Sequence, residues 1–495
     1  MENIKNTHRW LVFTCCGLMI MLNNIDLTVV NLSLPSIADS LHANLNQIQW
    51  VIVSYLLATA ACLTLFGKLA DDFGKKHIFL FGVILFTLGS LLAGITSKLF
   101  LLVAARFIQG LGFAATLGLA IVIILESFPE EKKGYITGLA VTISGLSQAS
   151  GPIVGGIILQ YFSWHWIFLI NLPFGLISLL VGSLVIKADS SKISLKNINV
   201  FNVLSFISSI CLTLYFLNQI PLLLNNIKSV AILLVAILVS IALFVYTSLK
   251  FSKPLIDLSL LKNTTYIKIN LIRLIFMTAM ASLLFIIPLY LQNIIGFMPL
   301  SISKILLFMT LMVALLAPLT GKILDRIGFK YPLLLSLMSM ILVLLLMLTF
   351  DTNISWFILP ISLVLFGVAI GVHTPASING ALSSVSAQKK GTAIGFFYTI
   401  AMNGAIFGVA LCGGLINSMS EKYLLSAGLT QQLKAKAAAV AKGVQSASEF
   451  DQMPNIKLIA QHAFLNSFHI FLKVETVFFV AAVILCLSLK KNLYN

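Results

Sequence analysis

Two residues of opposite charge stand in apolar surroundings, where charge is costly. Asp26 sits in the long apolar run that follows Lys5 and Arg9, and Arg106 in another that spans 99–124. With the first run directed outward and the second inward, both residues lie roughly 10–12 Å below the same membrane face, at ~1.5 Å of rise per residue. A charge at that depth is expensive unless it is paired or hydrated. A carboxylate whose cationic partner approaches and withdraws between two states is suited to carry a proton; a static ion pair is the plainer alternative. Gln109 and Phe113 share the helical face of Arg106. Together with Asn23 they are candidates to line a substrate cavity, although core packing explains Phe113 equally well. The second half of the chain offers Glu475 as a further acid, and Arg273 and His373 as further cavity candidates. His373 precedes Thr374-Pro375, where a kink would expose it; a bonded packing histidine is the more common outcome.

The elements that must hold these residues follow from composition. Of 495 residues, 59% are hydrophobic and 10% charged, against about 25% charged in soluble domains. Fourteen apolar stretches between residues 10 and 489 approach the ~20 residues that a membrane helix needs. Such lengths exclude an outer-membrane barrel, whose strands alternate over about ten residues. The expected fold is an all-α polytopic membrane protein with 14 transmembrane helices. All six cysteines fall inside apolar stretches and form neither a disulfide framework nor a metal-ligand spacing. The formal charge of +16 points to membrane orientation and not to nucleic acid. Lysines such as Lys75, Lys76, Lys132, Lys133, Lys389 and Lys390 fall in loops on one side, which places both termini in the cytoplasm. The long segment 417–463, read as an external loop, carries five lysines against that rule. It contains "LTQQLKAKAAAVAKG", read as a solvated amphipathic helix, with contact to a periplasmic accessory protein as the alternative.

The chain repeats itself. "GKLADDFGKK" from Gly67 matches "GKILDRIGFK" from Gly321, so that Asp71 and Gly74 correspond to Asp325 and Gly328 at an offset of 254. "KKGYITG" at Lys132 matches "KKGTAIG" at Lys389 at an offset of 257, and Gly155-Gly156 matches Gly413-Gly414 at 258. Six helices therefore repeat in parallel orientation, an arrangement found in transporters with a site near the midplane between the halves. The expected organisation is an N-terminal bundle over 1–190, two additional helices over 191–262, and a C-terminal bundle over 263–495. Asp71, at a helix end, is placed to meet the N-terminus of a neighbouring helix, where partial positive charge favours it. Such a contact would lock one gate, and Gly67 and Gly74 would allow close approach and a tight turn.

Further segments carry a resemblance. "IDLTVVNLSLP" from Ile25, "WVIVSYLLA" from Trp50, "GKLADDFGKK" from Gly67, "ARFIQGLGFA" from Ala105 and "SGPIVGG" from Ser150 occur in order, with "WHWIFLINLPFG" from Trp164 and "PLYLQNIIGF" from Pro288. Together they resemble the major facilitator superfamily, and within it the fourteen-span drug:proton antiporters of the EmrB/QacA type. The resemblance implies export by exchange with protons, with Gly151, Pro152, Gly155 and Gly156 as an antiporter motif that seals or flexes a gate. Three positions depart from the pattern: Asp72 where arginine is usual, Ser147 where glycine is usual, and Lys304 where the family is apolar. No nucleotide-binding loop, metal cluster or nucleophile constellation is present, so neither cofactor nor enzymatic activity is expected. The expectation is a proton-coupled exporter of amphipathic, drug-like compounds in a bacterial cytoplasmic membrane, acting as a monomer. A dedicated exporter of one metabolite, or a non-transporting receptor, are the alternatives.

Overall fold

The computed structural model describes the chain except Met1, Asn44, Gln49, 188–199, 224–226, 251–254, 256–257, Met298, 353–355, 427–453 and 490–495. Fourteen long helices carry the fold. The first six are α1 (Glu2–Leu41), α2 (Trp50–Phe73), α3 (Lys75–Ile95), α4 (Leu99–Ser127), α5 (Lys133–Tyr161) and α6 (Asn171–Val185). Next come α7 (Val200–Leu223) and α8 (Ile227–Lys250). The last six are α9 (Thr264–Leu289), α10 (Pro299–Ile327), α11 (Lys330–Met347), α12 (Ile358–Ser383), α13 (Lys390–Ser426) and α14 (Pro454–Leu487). Among the described residues 13 helical spans are long and apolar enough to cross a membrane, while the apolar run of α7 is the shorter Val200–Thr213. No described residue lies in a strand. Large apolar side chains such as Ile232, Leu238 and Leu249 on α8 are more than half exposed, a surface that water would not tolerate over so wide an area and that lipid covers.

The three longest helices are α1, α13 and α14. α1 continues to Leu41, α13 to Ser426, and α14 begins at Pro454. The expected loop 417–463 is therefore helical at both ends, and the amphipathic segment proposed inside it lies outside the described residues. With 37 and 34 residues, α13 and α14 exceed the ~20 that span a bilayer and project beyond it. Ser420 of α13 and Ser467 of α14 hydrogen-bond at 2.9 Å, and Gln461 donates to the Ile294 carbonyl at 2.9 Å, tying these extensions to the helical core.

The repeated glycines serve the turns for which they are suited. Gly74 after α2 and Gly328 after α10 adopt φ of 94° and 76°, a region that costs other residues strain. Each donates its amide four residues back, to Ala70 and Leu324, at 3.0 Å. Across the two repeats α2 packs on α13, and α10 on α5. The additional helix α7 packs on both α2 and α13, so it covers one of these seams from outside. Asn202 of α7 joins it to α8 through bonds to Ser248 at 2.8 Å and Thr247 at 2.9 Å.

Candidate functional site

The Asp26–Arg106 pair forms as the depth argument requires. Arg106 Nη1 donates to Asp26 Oδ2 at 2.6 Å and to Gln109 Oε1 at 2.7 Å. Gln109 Nε2 closes the triangle, donating to Asp26 Oδ1 at 2.9 Å and to Ser90 Oγ at 2.9 Å. Arg106 Nε reaches the Val51 carbonyl at 3.1 Å. Its guanidinium lies 4.1 Å from the Tyr55 ring centroid, and Tyr55 stacks on Phe113 at 5.5 Å. Asp26 and Arg106 are 2% and 1% exposed, so their charges are satisfied by each other and by polar groups of α2 and α4. Removing one partner of such a pair costs about 3–5 kcal/mol. Asn23, one helical turn before Asp26, donates to Thr116 at 3.0 Å, while its Oδ1 accepts no hydrogen bond among the described residues. Sequence reasoning missed Tyr55, Ser90 and Asn171, whose Nδ2 lies 3.5 Å from Asp26 Oδ1; polar side chains inside apolar spans were the available signal.

The predicted helix-end contact of Asp71 is present, and it occurs twice. Asp71 accepts from the Gly391 amide at 2.8 Å and from both the Thr392 amide and hydroxyl at 2.6 Å, at the N-terminus of α13. Asp325 accepts from the Gly134 amide at 2.7 Å and the Tyr135 amide at 3.1 Å, at the N-terminus of α5. A carboxylate there satisfies amides that have no partner within their own helix and opposes the positive end of the helix dipole. The neighbouring Asp72 takes no part; it pairs along its own helix with Lys68 at 3.5 Å. Ser147 bonds the Ile143 carbonyl at 2.6 Å, and Lys304 is exposed.

Glycines let the seams close at this end. A Cβ at Gly67 would collide with the Gly391 carbonyl, one at Gly134 with the Gly321 carbonyl, and one at Gly138 with the Ala317 carbonyl. A Cβ at Gly395 would come 2.5 Å from the Leu63 carbonyl. Thr64 and Thr399 hydrogen-bond across the α2–α13 seam at 2.9 Å. The other end differs. Gly156 stands eighteen residues after Gly138, and Gly413 eighteen after Gly395, about five turns along the same helical faces. A Cβ at Gly156, Gly413 or Gly414 would meet nothing within 4 Å. Both seams are thus shut at the end carrying Asp71 and Asp325, while the glycine faces towards the other end leave room for a Cβ.

Within the "SGPIVGG" segment, Gly151 packs α5 on α1, where a Cβ would strike Thr28 Oγ1. Gln148 of the same helix donates to Asn24 Oδ1 at 2.9 Å. Gly155 is buried and Gly156 half-buried; the side chain of Pro152 lies outside the described residues.

The remaining candidates are in the second repeat and do not join the first cluster. Glu475 is fully buried, and among the described residues neither carboxylate oxygen has a hydrogen-bond partner. His373 stacks on Phe276 with centroids 3.6 Å apart, and its Nδ1 lies 3.2 Å from Ser336 Oγ. Arg273 approaches Thr374 Oγ1 at 3.5 Å and faces the Phe397 ring at 5.2 Å. No group of three or more His, Cys, Asp or Glu side chains among the described residues is placed to hold a metal ion.

Two helical repeats of membrane-spanning length that interlock through reciprocal carboxylate caps at one end are the architecture of a polytopic transporter. The chain belongs to the Major Facilitator Superfamily, whose profile matches residues 16–409. It is an integral membrane transporter and not an enzyme. It is 30% identical over 413 residues to the multidrug resistance protein Stp of Mycobacterium tuberculosis, covering 83% of this chain and 76% of that one. The riboflavin transporter RibZ of Clostridioides difficile is 29% identical over 392 residues, 79% of this chain and 85% of its own. Multidrug resistance protein 3 of Bacillus subtilis is 28% identical over 407 residues, 81% of this chain and 78% of its own. The fold is similar to that of the human organic anion transporter MFSD10, with a TM-score of 0.63 at 13% identity, covering 97% and 99% of the two chains. It is also similar to the proton:xylose symporter XylE, with a TM-score of 0.60 at 13% identity, covering 97% and 95%.

Proposed function

We propose that the protein exports small amphipathic, drug-like compounds across a bacterial cytoplasmic membrane in exchange for protons, by alternating access. The observation that carries alternating access is the contrast between the Asp71 and Asp325 caps, which close one end, and the open faces of Gly156 and Gly413 at the other. In this reading the lysine-rich end is cytoplasmic, both termini lie there, and the state is open outward. The two six-helix bundles, 1–190 and 263–495, rock about the site between them, while the helices of 191–262 brace one seam. Asp26 and Arg106 form the proton-coupling pair, with Glu475 as a second acid; Asn23, Gln109, Phe113, Arg273 and His373 are the cavity candidates. The monomer suffices, because the two halves enclose their own pathway. Relatives named for multidrug resistance support drug export.

A second reading keeps the mechanism and narrows the cargo to one metabolite. The similarity to a riboflavin transporter favours it. Proteoliposomes with an imposed pH gradient test both, with lumenal pH read while lipophilic cations, neutral amphiphiles and riboflavin are added. Substrate-triggered proton movement that Asp26→Asn abolishes supports coupled export. Movement that survives the substitution reduces Asp26 to a structural role. A response to one compound alone selects the dedicated exporter.

A further inference from the structure

Arg273 is a buried cation without a counter-ion. It is 4% exposed, its Nε has no hydrogen-bond partner, and its polar contact to Thr374 is long at 3.5 Å. Among the described residues no carboxylate lies within ion-pair distance of it, whereas the comparably buried Arg106 has Asp26 at 2.6 Å. Glu475, the other embedded acid of this half, leaves both oxygens without a hydrogen bond and so does not serve Arg273. An arginine held this way is costly, and intramembrane charges of this kind mark ligand paths.

Further polar groups without partners stand at the same depth. Arg273 stands nine residues from the start of α9, His373 ten from the end of α12, and Tyr398 eight from the start of α13. At ~1.5 Å per residue all three lie roughly 12–15 Å from the lysine-rich end, near the middle of the membrane. Asn270, three residues before Arg273 and on the same side of α9, leaves its Oδ1 unpartnered, and His373 leaves its Nε2 unpartnered. Thr374 and Tyr398 are only half-buried. Tyr398 packs against Gly118 of α4, which brings the cluster to the boundary between the repeats. Tyr398 supplies flat apolar surface beside the charge, backed by the fully buried rings of Phe276 and Phe397.

We infer that Arg273 receives an oxyanion of the cargo, so that the transported class is anionic amphiphiles carrying a carboxylate, sulfonate or phosphate on an aromatic or apolar body. The guanidinium fork supplies the bidentate donor, the asparagine and histidine supply further polar contacts, and the half-buried Tyr398 ring takes the body. The cargo's charge completes the ion pair that the described residues do not supply. This rests on the transporter reading above and names its substrate class.

Matched pairs of probes test it on the purified full-length protein in nanodiscs. Riboflavin 5′-phosphate is compared with riboflavin, and fluorescein with the cationic tetramethylrhodamine methyl ester. Binding is read by fluorescence, and melting temperature with and without each probe. In at least one pair the anionic member binds about tenfold tighter or more, the scale of one charge-assisted contact. Arg273→Gln removes that preference, and Arg273→Lys keeps most of it. Without ligand, Arg273→Gln melts no lower than wild type, since it removes an uncompensated charge; should that variant not fold, wild type and Arg273→Lys carry the comparison. The inference is overturned if no anionic probe is preferred, if both members of a pair weaken equally in Arg273→Gln, or if chloride alone stabilises as well as the organic anions. Counterflow of the same probes separates the two readings. Counterflow of cations or neutral probes without anion preference sinks the inference and leaves the exporter standing. Arg273-dependent anion binding with no counterflow of any probe does the reverse.

Discussion

Asp71 and Asp325, 254 residues apart, do the same thing to opposite halves of the molecule. Each ends a helix of its own repeat and caps the first amides of a helix in the other, Asp71 at Gly391 and Thr392 and Asp325 at Gly134 and Tyr135. The two caps are not equal. Asp71 gains a third bond from the Thr392 hydroxyl, which Asp325 lacks because tyrosine occupies the matching place.

That inequality predicts an order. Asp71→Asn removes the charge and weakens three contacts, at a cost of about 1.5–3 kcal/mol to the state closed at this end. Asp325→Asn has the smaller effect, and Thr392→Val costs about 1 kcal/mol. Spin labels at Glu131 and Gln388, exposed on opposite repeats, report the fraction of separated molecules. That fraction is to rise in the order Thr392→Val, Asp325→Asn, Asp71→Asn. A larger effect of Asp325→Asn than of Asp71→Asn contradicts the account.

Glycines on one face make a second prediction with opposite signs. Gly138→Ala and Gly395→Ala place a methyl against a carbonyl in the closed seam, so they favour separation of the same labels. Gly156→Ala and Gly413→Ala meet open space and gain up to ~1 kcal/mol of helix propensity. They leave this state intact, and they slow turnover if these faces must meet when the gate inverts. Equal behaviour of the two pairs in label distance and transport rate would remove the basis for two gates.

Stability should separate the embedded ions. Asp26→Asn leaves Arg106 buried without its counter-charge and lowers unfolding free energy by about 3–5 kcal/mol; the double substitution with Arg106→Met recovers most of it. Thermal melts of the four proteins in one detergent form the cycle. Additive losses would show that the pair contributes no coupling.

Glu475 behaves differently because its carboxyl has no partner to lose. Glu475→Leu fills the same apolar surroundings without an unsatisfied polar group and melts at or above the wild-type temperature. A drop of the size seen for Asp26→Asn would mean that Glu475 holds a structural bond. Lost substrate-driven proton movement at undiminished stability would place it on the coupling path.

Much of this architecture is written in local chemistry. Apolar runs too long for any other use made the helices. The repeated "GKLADDFGKK" and "GKILDRIGFK" announced two equivalent turns, because Gly74 and Gly328 both need a positive φ. Matching depths along two helices brought Asp26 to Arg106, since rise per residue is fixed. Only the tertiary structure decided what meets across distance. It placed the Asp71 carboxylate on Thr392, drew Ser90 and Tyr55 to the ion pair, and laid α7 over the α2–α13 seam. Among the described residues it left Arg273 with no acid within ion-pair distance, a fact no spacing could reveal. Periodicity fixes where a side chain stands along its own helix; which foreign helix it faces depends on how all fourteen pack. That packing also chose which end is shut, because the same glycine faces serve both ends and one sequence must fit two arrangements.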